Sequence, residues 1–104
     1  MTQVIPLRKS SDGIHKWTVQ VNGHTVHFGR KGYSDYTIHK DRARMMRYLG
    51  RHIKRENWSA SGRATAGFWS RWLLWSEPSL SQAIKRTQKV LGSKYKIKLL
   101  TRNK

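Results

Sequence analysis

The sequence predicts an α+β fold, a small antiparallel β-sheet (an N-terminal hairpin plus terminal strands) packed against about three helices. Three observations predict it. Residues 17–28 alternate apolar and polar around Asn22-Gly23, two later segments carry apolar residues at helical spacing, and Tyr95-Lys96-Ile97-Lys98-Leu99 alternates again near the end. With 104 residues, 37% of them hydrophobic and 11% aromatic, the chain 1–104 has the bulk to fold as one domain around one core.

Trp17-Thr18-Val19-Gln20-Val21 and His24-Thr25-Val26-His27-Phe28 flank Asn22-Gly23, two residues that tolerate positive φ, as a two-residue type I′ turn requires. That turn sets Val21 opposite His24, Val19 opposite Val26 and Trp17 opposite Phe28, an apolar face. Lys16, Thr18, Gln20, Thr25 and His27 fall on the other face. Residues 3–8 read as another strand, which Pro6 favours at an edge, with Ser10-Ser11-Asp12-Gly13 as the turn between. Gly29 to Thr37 reads as loop.

A helix is expected from about 39 or 41 to 55, capped by Thr37 or Asp41. Its apolar side is Met45, Met46, Leu49 and Ile53, and its opposite side collects Lys40, Arg44, Arg47, Arg51, Lys54 and Arg55. A loop around Trp58 covers 56–64. Thr65 to Trp75 then reads as a short helix capped by Thr65 and apolar on nearly all sides, hence buried or part of an interface. Ser76-Glu77-Pro78 breaks it. In the next helix Ser79 and Gln82 fit a capping box, Leu80, Ala83, Ile84, Thr87 and Leu91 form the inner stripe, and Gly92 is the stop. The lysines of the last strand face solvent and guard a sheet edge.

Charge is the strongest functional signal. Twenty-two Lys and Arg face five acids, Asp12, Asp35, Asp41, Glu56 and Glu77, for a formal +17. Solubility of a small domain needs a net charge of only about 2–8, so the excess points to a polyanionic partner. The absence of Cys excludes disulfides and thiolate zinc sites. The N-terminus lacks the apolar run of a signal peptide, and the stretch around Trp72-Leu73-Leu74-Trp75 is far shorter than the roughly 20 residues that span a bilayer. An intracellular or particle-internal protein is expected, with no membrane partner.

The helix face of Lys40, Arg44, Arg47, Arg51, Lys54 and Arg55 is the main candidate for binding nucleic acid. A solvated face normally mixes charge signs, and this one does not. Arg30 and Lys31, between Gly29 and Gly32, and Arg63, beside Gly62, are flanking candidates; an ordinary turn at 29–32 is an equal reading. Trp58, Trp69, Trp72 and Trp75 could stack on unpaired bases, yet at helical spacing Trp69, Trp72 and Leu73 read first as core. Trp58 and Trp75 are the candidates for a protein interface. His24 and His27, three apart on a strand, point to opposite faces, so no metal and no cofactor is expected. The acids form no recognisable catalytic pair. Tyr33, Asp35 and His39 read as an ordered loop in which Asp35 caps a turn or pairs with Arg51 or Arg55, so no enzyme is expected.

Several stretches resemble small basic proteins of unassigned function encoded by nucleocytoplasmic large DNA viruses of the phycodnavirus and mimivirus kind. They are Thr25-Val26-His27-Phe28-Gly29, Gly32-Tyr33-Ser34-Asp35-Tyr36-Thr37, His39-Lys40-Asp41, Arg47-Tyr48-Leu49, Arg51-His52, Arg55-Glu56-Asn57-Trp58, Ala66 through Trp75, and Pro78-Ser79-Leu80. Together they span roughly residues 14–92. Residues 58–65 lack the Asp-Pro-like turn of the relatives. The resemblance implies a virion or infection-stage protein, found in the virion interior or in the infected cell (nucleus or cytoplasmic virus factory). The expected function is sequence-nonspecific nucleic-acid binding, with DNA favoured over RNA, in an architectural or genome-packaging role. The rival expectation is a minor capsid or internal structural virion protein that binds other proteins.

Overall fold

Asn22 and Gly23 take φ of 53° and 80°, the left-handed pair of a type I′ turn. The strands they join, β2 (His15–Val21) and β3 (His24–Arg30), pair in the expected register, with Val21 opposite His24, Val19 opposite Val26 and Trp17 opposite Phe28. Strand β1 (Gln3–Lys9) lies antiparallel to β2, and β4 (Tyr95–Leu99) completes the order β3-β2-β1-β4. The computed structural model describes residues 2–100.

Two expectations about the sheet are corrected. β4 runs parallel to β1, Gln3 opposite Tyr95 through Leu7 opposite Leu99, so the sheet is mixed and not wholly antiparallel. Pro6 therefore sits in an interior strand. It is tolerated because β1 is staggered: its ladder to β2 begins at Leu7, whereas residues 3–7 pair with β4. At Pro6 the β2 side carries no ladder pairing, so the missing N–H costs no sheet bond there. β4 is an edge strand, as β3 is on the other side, and its Lys96 and Lys98 are exposed.

After β3 the expected loop contains one helical turn, α1 (Tyr36–His39), with Asp35 capping it as expected: its carboxylate accepts from the Thr37 N–H. Lys40, at φ 56°, breaks the helical path, and Asp41 caps α2 (Arg42–His52) by accepting from the Ala43 and Arg44 N–H groups. Thr65 caps α3 (Ala66–Trp69), which continues through a π-helical turn at Ser70–Leu74. Ser79 caps α4 (Leu80–Leu91), its hydroxyl also bonding the Gln82 side chain, and Gly92 ends it.

Ile5, Leu7, Val19, Val21, Val26 and Phe28 of the sheet meet Phe68, Trp69, Leu73, Leu74, Ala83 and Leu91 of α3, its π turn and α4 in one core. Each large apolar side chain so buried contributes about 1.5–3 kcal/mol. The Trp-rich segment is thus core first: Trp69 is fully buried, its Nε1 donating to the Arg63 carbonyl at 2.7 Å, while Trp72 and Trp75 are half-buried against its flank. Thr87 is fully buried and its hydroxyl donates to the Ala83 carbonyl, so the stripe of α4 carries no orphaned polar group.

Candidate nucleic-acid interface

The basic helix is attached differently from the hydropathy pattern. Met45 is buried, but Met46 and Ile53 are 54% and 57% exposed. The docking side runs instead through Tyr48, stacked on Trp75 with ring centroids 4.3 Å apart and planes 4° apart, and through His52, stacked on Tyr48 at 4.2 Å. Stacked rings supply more contact than two flexible aliphatics, and a hydropathy count passes over Tyr and His because of their polar tips. The Tyr48 phenol is pushed up to about 12, by burial first and then by the Glu56 charge.

Arg44, Arg47 and Arg51 project from α2 into solvent, and Lys54 and Arg55 are exposed just beyond its end. Among the described residues none of the five has an ion-pair partner. The five acids are committed elsewhere: Asp12 to His15 and His27, Asp35 to Lys16, Asp41 to the α2 cap, Glu56 to His52, and Glu77 to Arg86. Among the described residues, Lys16 and Arg86 are the Lys and Arg that hold a carboxylate. Lys40 is not on the helix. Its ammonium closes onto the Thr37 and Pro78 carbonyls, which ties the α1–α2 junction to the start of α4.

Arg30 and Arg51 come together on one cleft of about 310 Å³ between the end of β3 and α2, with Tyr33, Tyr48, His52 and Trp75 among its walls. At its base Asp35, 2% exposed, holds the Lys16 ammonium at 2.5 Å and the Thr37 backbone and hydroxyl. The expected partners Arg51 and Arg55 are thereby left free: a buried carboxylate takes the cation that the β2 strand delivers beside it. Gly29, packed beside Lys16, has φ 71°, the left-handed region that favours glycine, and a Cβ there would sit 2.8 Å from Leu74 Cδ1, so the Leu74 side chain closes directly against the β3 backbone. Arg30 lies over the exposed Tyr33 ring at 5.7 Å. The Gly29–Gly32 segment is an ordinary turn in its amides: the Lys31 N–H donates to the Ile14 carbonyl and the Tyr33 N–H to the Arg30 carbonyl. The exposed Lys31 side chain remains beside the cleft, with Tyr33 and Lys16.

Arg63 is elsewhere. Its guanidinium donates to Asn22 in the hairpin turn and to the Ala60 carbonyl and covers the Tyr95 ring at 4.8 Å, at the end of β2–β3 remote from Arg30. Trp58 and Trp75 are half-buried. Trp58 donates to Glu56, accepts from Trp72 at its carbonyl and lies under Arg71, and Trp75 also packs on His39. Arg71 lies between the Trp58 and Trp72 rings, with Arg86 on Trp72 as well; burial, and next the Arg86 charge, lowers its pKa. Tyr33, Asp35 and His39 serve separate contacts: Tyr33 under Arg30, Asp35 with Lys16, and His39 packed between Tyr36 and Trp75 while accepting from the Asp41 N–H.

The sequence reading passed over one constellation. Asp12, His15 and His27 converge so that a carboxylate oxygen and two imidazole nitrogens lie within 4.8 Å of one another. The Asp12-to-His15 spacing beside a turn glycine was its available signal; the third member comes from the next strand and depends on the hairpin register.

No curated protein and no solved structure matches the chain. Residues 5–52, just under half of it and running from β1 to the end of α2, are similar to a family described as "Family of unknown function (DUF5754)".

Proposed function

We propose that the protein binds nucleic acid without sequence specificity, duplex DNA foremost, through Arg44, Arg47, Arg51, Lys54 and Arg55 around α2, joined across the cleft by Arg30 and Lys31. The observation that carries this reading is that all five acids are committed to other partners, so among the described residues none of the α2 cations is held in an ion pair. Unpaired cations on a folded surface bind phosphates by releasing condensed counterions, and arginine adds bidentate geometry. No side chain here is committed to base edges, so backbone contact dominates. Genome packaging in a large DNA virus is the form of this activity that the family resemblance suggests. The rival, a virion protein that binds other proteins through Trp58 and Trp75, draws less support, because those rings are already stacked on Arg71, Tyr48 and His39.

The test is fluorescence anisotropy of labelled duplex, single-stranded DNA and RNA across salt concentrations, with polyglutamate as competitor. With about six phosphates engaged, log affinity falls against log salt with a slope near −5. Arg47→Glu together with Arg51→Glu, both exposed, should weaken duplex binding about a hundredfold or more and flatten the slope by about 2 or more. Unchanged affinity in that variant, or binding that polyglutamate erases, would remove α2 from the function.

A further inference from the structure

The group of Asp12, His15 and His27 lies outside the basic cleft. Asp12 occupies the β1–β2 turn, and its Oδ1 accepts the Ile14 and His15 N–H groups, both at 2.8 Å. That Asx turn fixes the carboxylate plane and leaves Oδ2 directed at two imidazoles, 2.6 Å from His15 Nδ1 and 3.6 Å from His27 Nδ1. The two rings stack with centroids 5.6 Å apart. Around a tetrahedral zinc with bonds of about 2.0–2.1 Å, donor atoms stand roughly 3.3 Å apart, a spacing that the two carboxylate–imidazole distances bracket.

We propose that Asp12 Oδ2, His15 Nδ1 and His27 Nδ1 form a binding site for a divalent metal of the zinc class. Two imidazoles and one carboxylate suit Zn²⁺, Co²⁺, Ni²⁺ or Cu²⁺ and not the all-oxygen shells of Mg²⁺ or Ca²⁺. All three side chains keep solvent contact, at 36%, 27% and 38% exposure for His15, Asp12 and His27, so an ion can enter without opening the fold. The Ser10 and Thr18 hydroxyls, now 3.2 and 2.9 Å from His27 Nδ1, would turn to a water completing the coordination. Nearby cations do not bar the ion. Arg30, opposite His15 in the ladder, turns over Tyr33, the Lys16 ammonium is held by Asp35, and Arg8, opposite Thr18, is exposed. A bound ion would staple the β1–β2 turn to β3, beside the point where the Lys31 N–H meets the Ile14 carbonyl.

The test is titration of Zn²⁺ into the full chain, freed of metal by chelator, against a chromophoric zinc chelator, with the imidazole resonances followed by NMR. One Zn²⁺ per chain is expected, shifting His15 and His27 while His24, His39 and His52 stay in place. His15→Ala and His27→Ala should each weaken binding about tenfold or more. Asp12→Asn keeps an Oδ1 for the turn and loses the anionic ligand, so it should weaken zinc binding with the circular dichroism spectrum preserved. His24→Ala should change nothing. Absence of stoichiometric binding, undiminished affinity in Asp12→Asn and His15→Ala, or shifts centred on another histidine would overturn the proposal.

Discussion

Helices α2 and α4 are written in the same style and meet the fold in opposite ways. Both start at a side-chain cap, Asp41 or Ser79, and both set apolar residues at helical spacing against a basic side. α4 drives Ala83, Thr87 and Leu91 into the core, and its Gln88 side chain bonds the Tyr95 carbonyl and the Ile97 N–H, fastening β4. α2 buries Met45 and otherwise rests on the stack of His52, Tyr48 and Trp75. The difference shows where sequence freedom lies. A helix that closes a core has most of its circumference dictated by packing, whereas one leaning on a single ring can give the rest to charge.

The largest effect expected from this contrast is at Leu91. Leu91→Ala opens a cavity between α4 and the sheet and should cost about 2–5 kcal/mol, with the whole domain unfolding at lower denaturant in one transition. Tyr48→Ala should cost less, about 1–3 kcal/mol, and act locally. Hydrogen exchange of the α2 amides should quicken while the α4 amides keep the protection set by global unfolding. Equal loss of protection in both helices would mean that α2 is part of the core's cooperative unit.

Next in size is an alkaline effect of the same phenol. The folded pKa of Tyr48, about 12, lies above its ordinary value of 10.0, so the folded state favours the neutral form. The associated stability is complete below pH 10 and is lost as pH rises from there through 12, by on the order of 1 kcal/mol after allowing for residual solvent contact. Denaturant midpoints measured across that window should fall further for the wild-type chain than for Tyr48→Phe, which has no proton to lose.

What was legible in the sequence follows the range of the forces involved. The β2–β3 register follows from Asn22-Gly23, and the caps at Thr65 and Ser79 follow from residues within one turn of them. Pro6 was misplaced because its tolerance depends on the stagger of β1 between β2 and a strand some ninety residues away. That Asp35 caps a turn was legible beside Thr37, but not that the turn is helical, because one helical turn has no periodicity to detect. The basic side of α2 was readable as a face, but its docking side was not: Trp75, the ring that selects Tyr48 over Met46, lies 27 positions beyond Tyr48 in the chain. The cleft that joins Arg30 to Arg51 has the same origin, since its floor includes Lys16 and Asp35 and its far wall includes Trp75.

Met46 and Ile53 give the smallest expected effect. Met46 lies on α2 and Ile53, seven residues later, is its C-cap residue; both are more than half exposed. If α2 is held by Met45 and the aromatic stack, Met46→Gln with Ile53→Gln exchanges solvated apolar surface for polar surface and removes no packed contact. The stability change should then stay within about 0.5 kcal/mol, and duplex affinity should be unaltered because neither residue carries charge. The measurement is a denaturant midpoint with sedimentation velocity on the same samples. A loss of 2 kcal/mol would place these side chains in the packing after all. An oligomer present in the wild-type chain and absent from the double variant would show that another copy covers this side of α2, and the helix would then divide its circumference three ways: core, partner and phosphate.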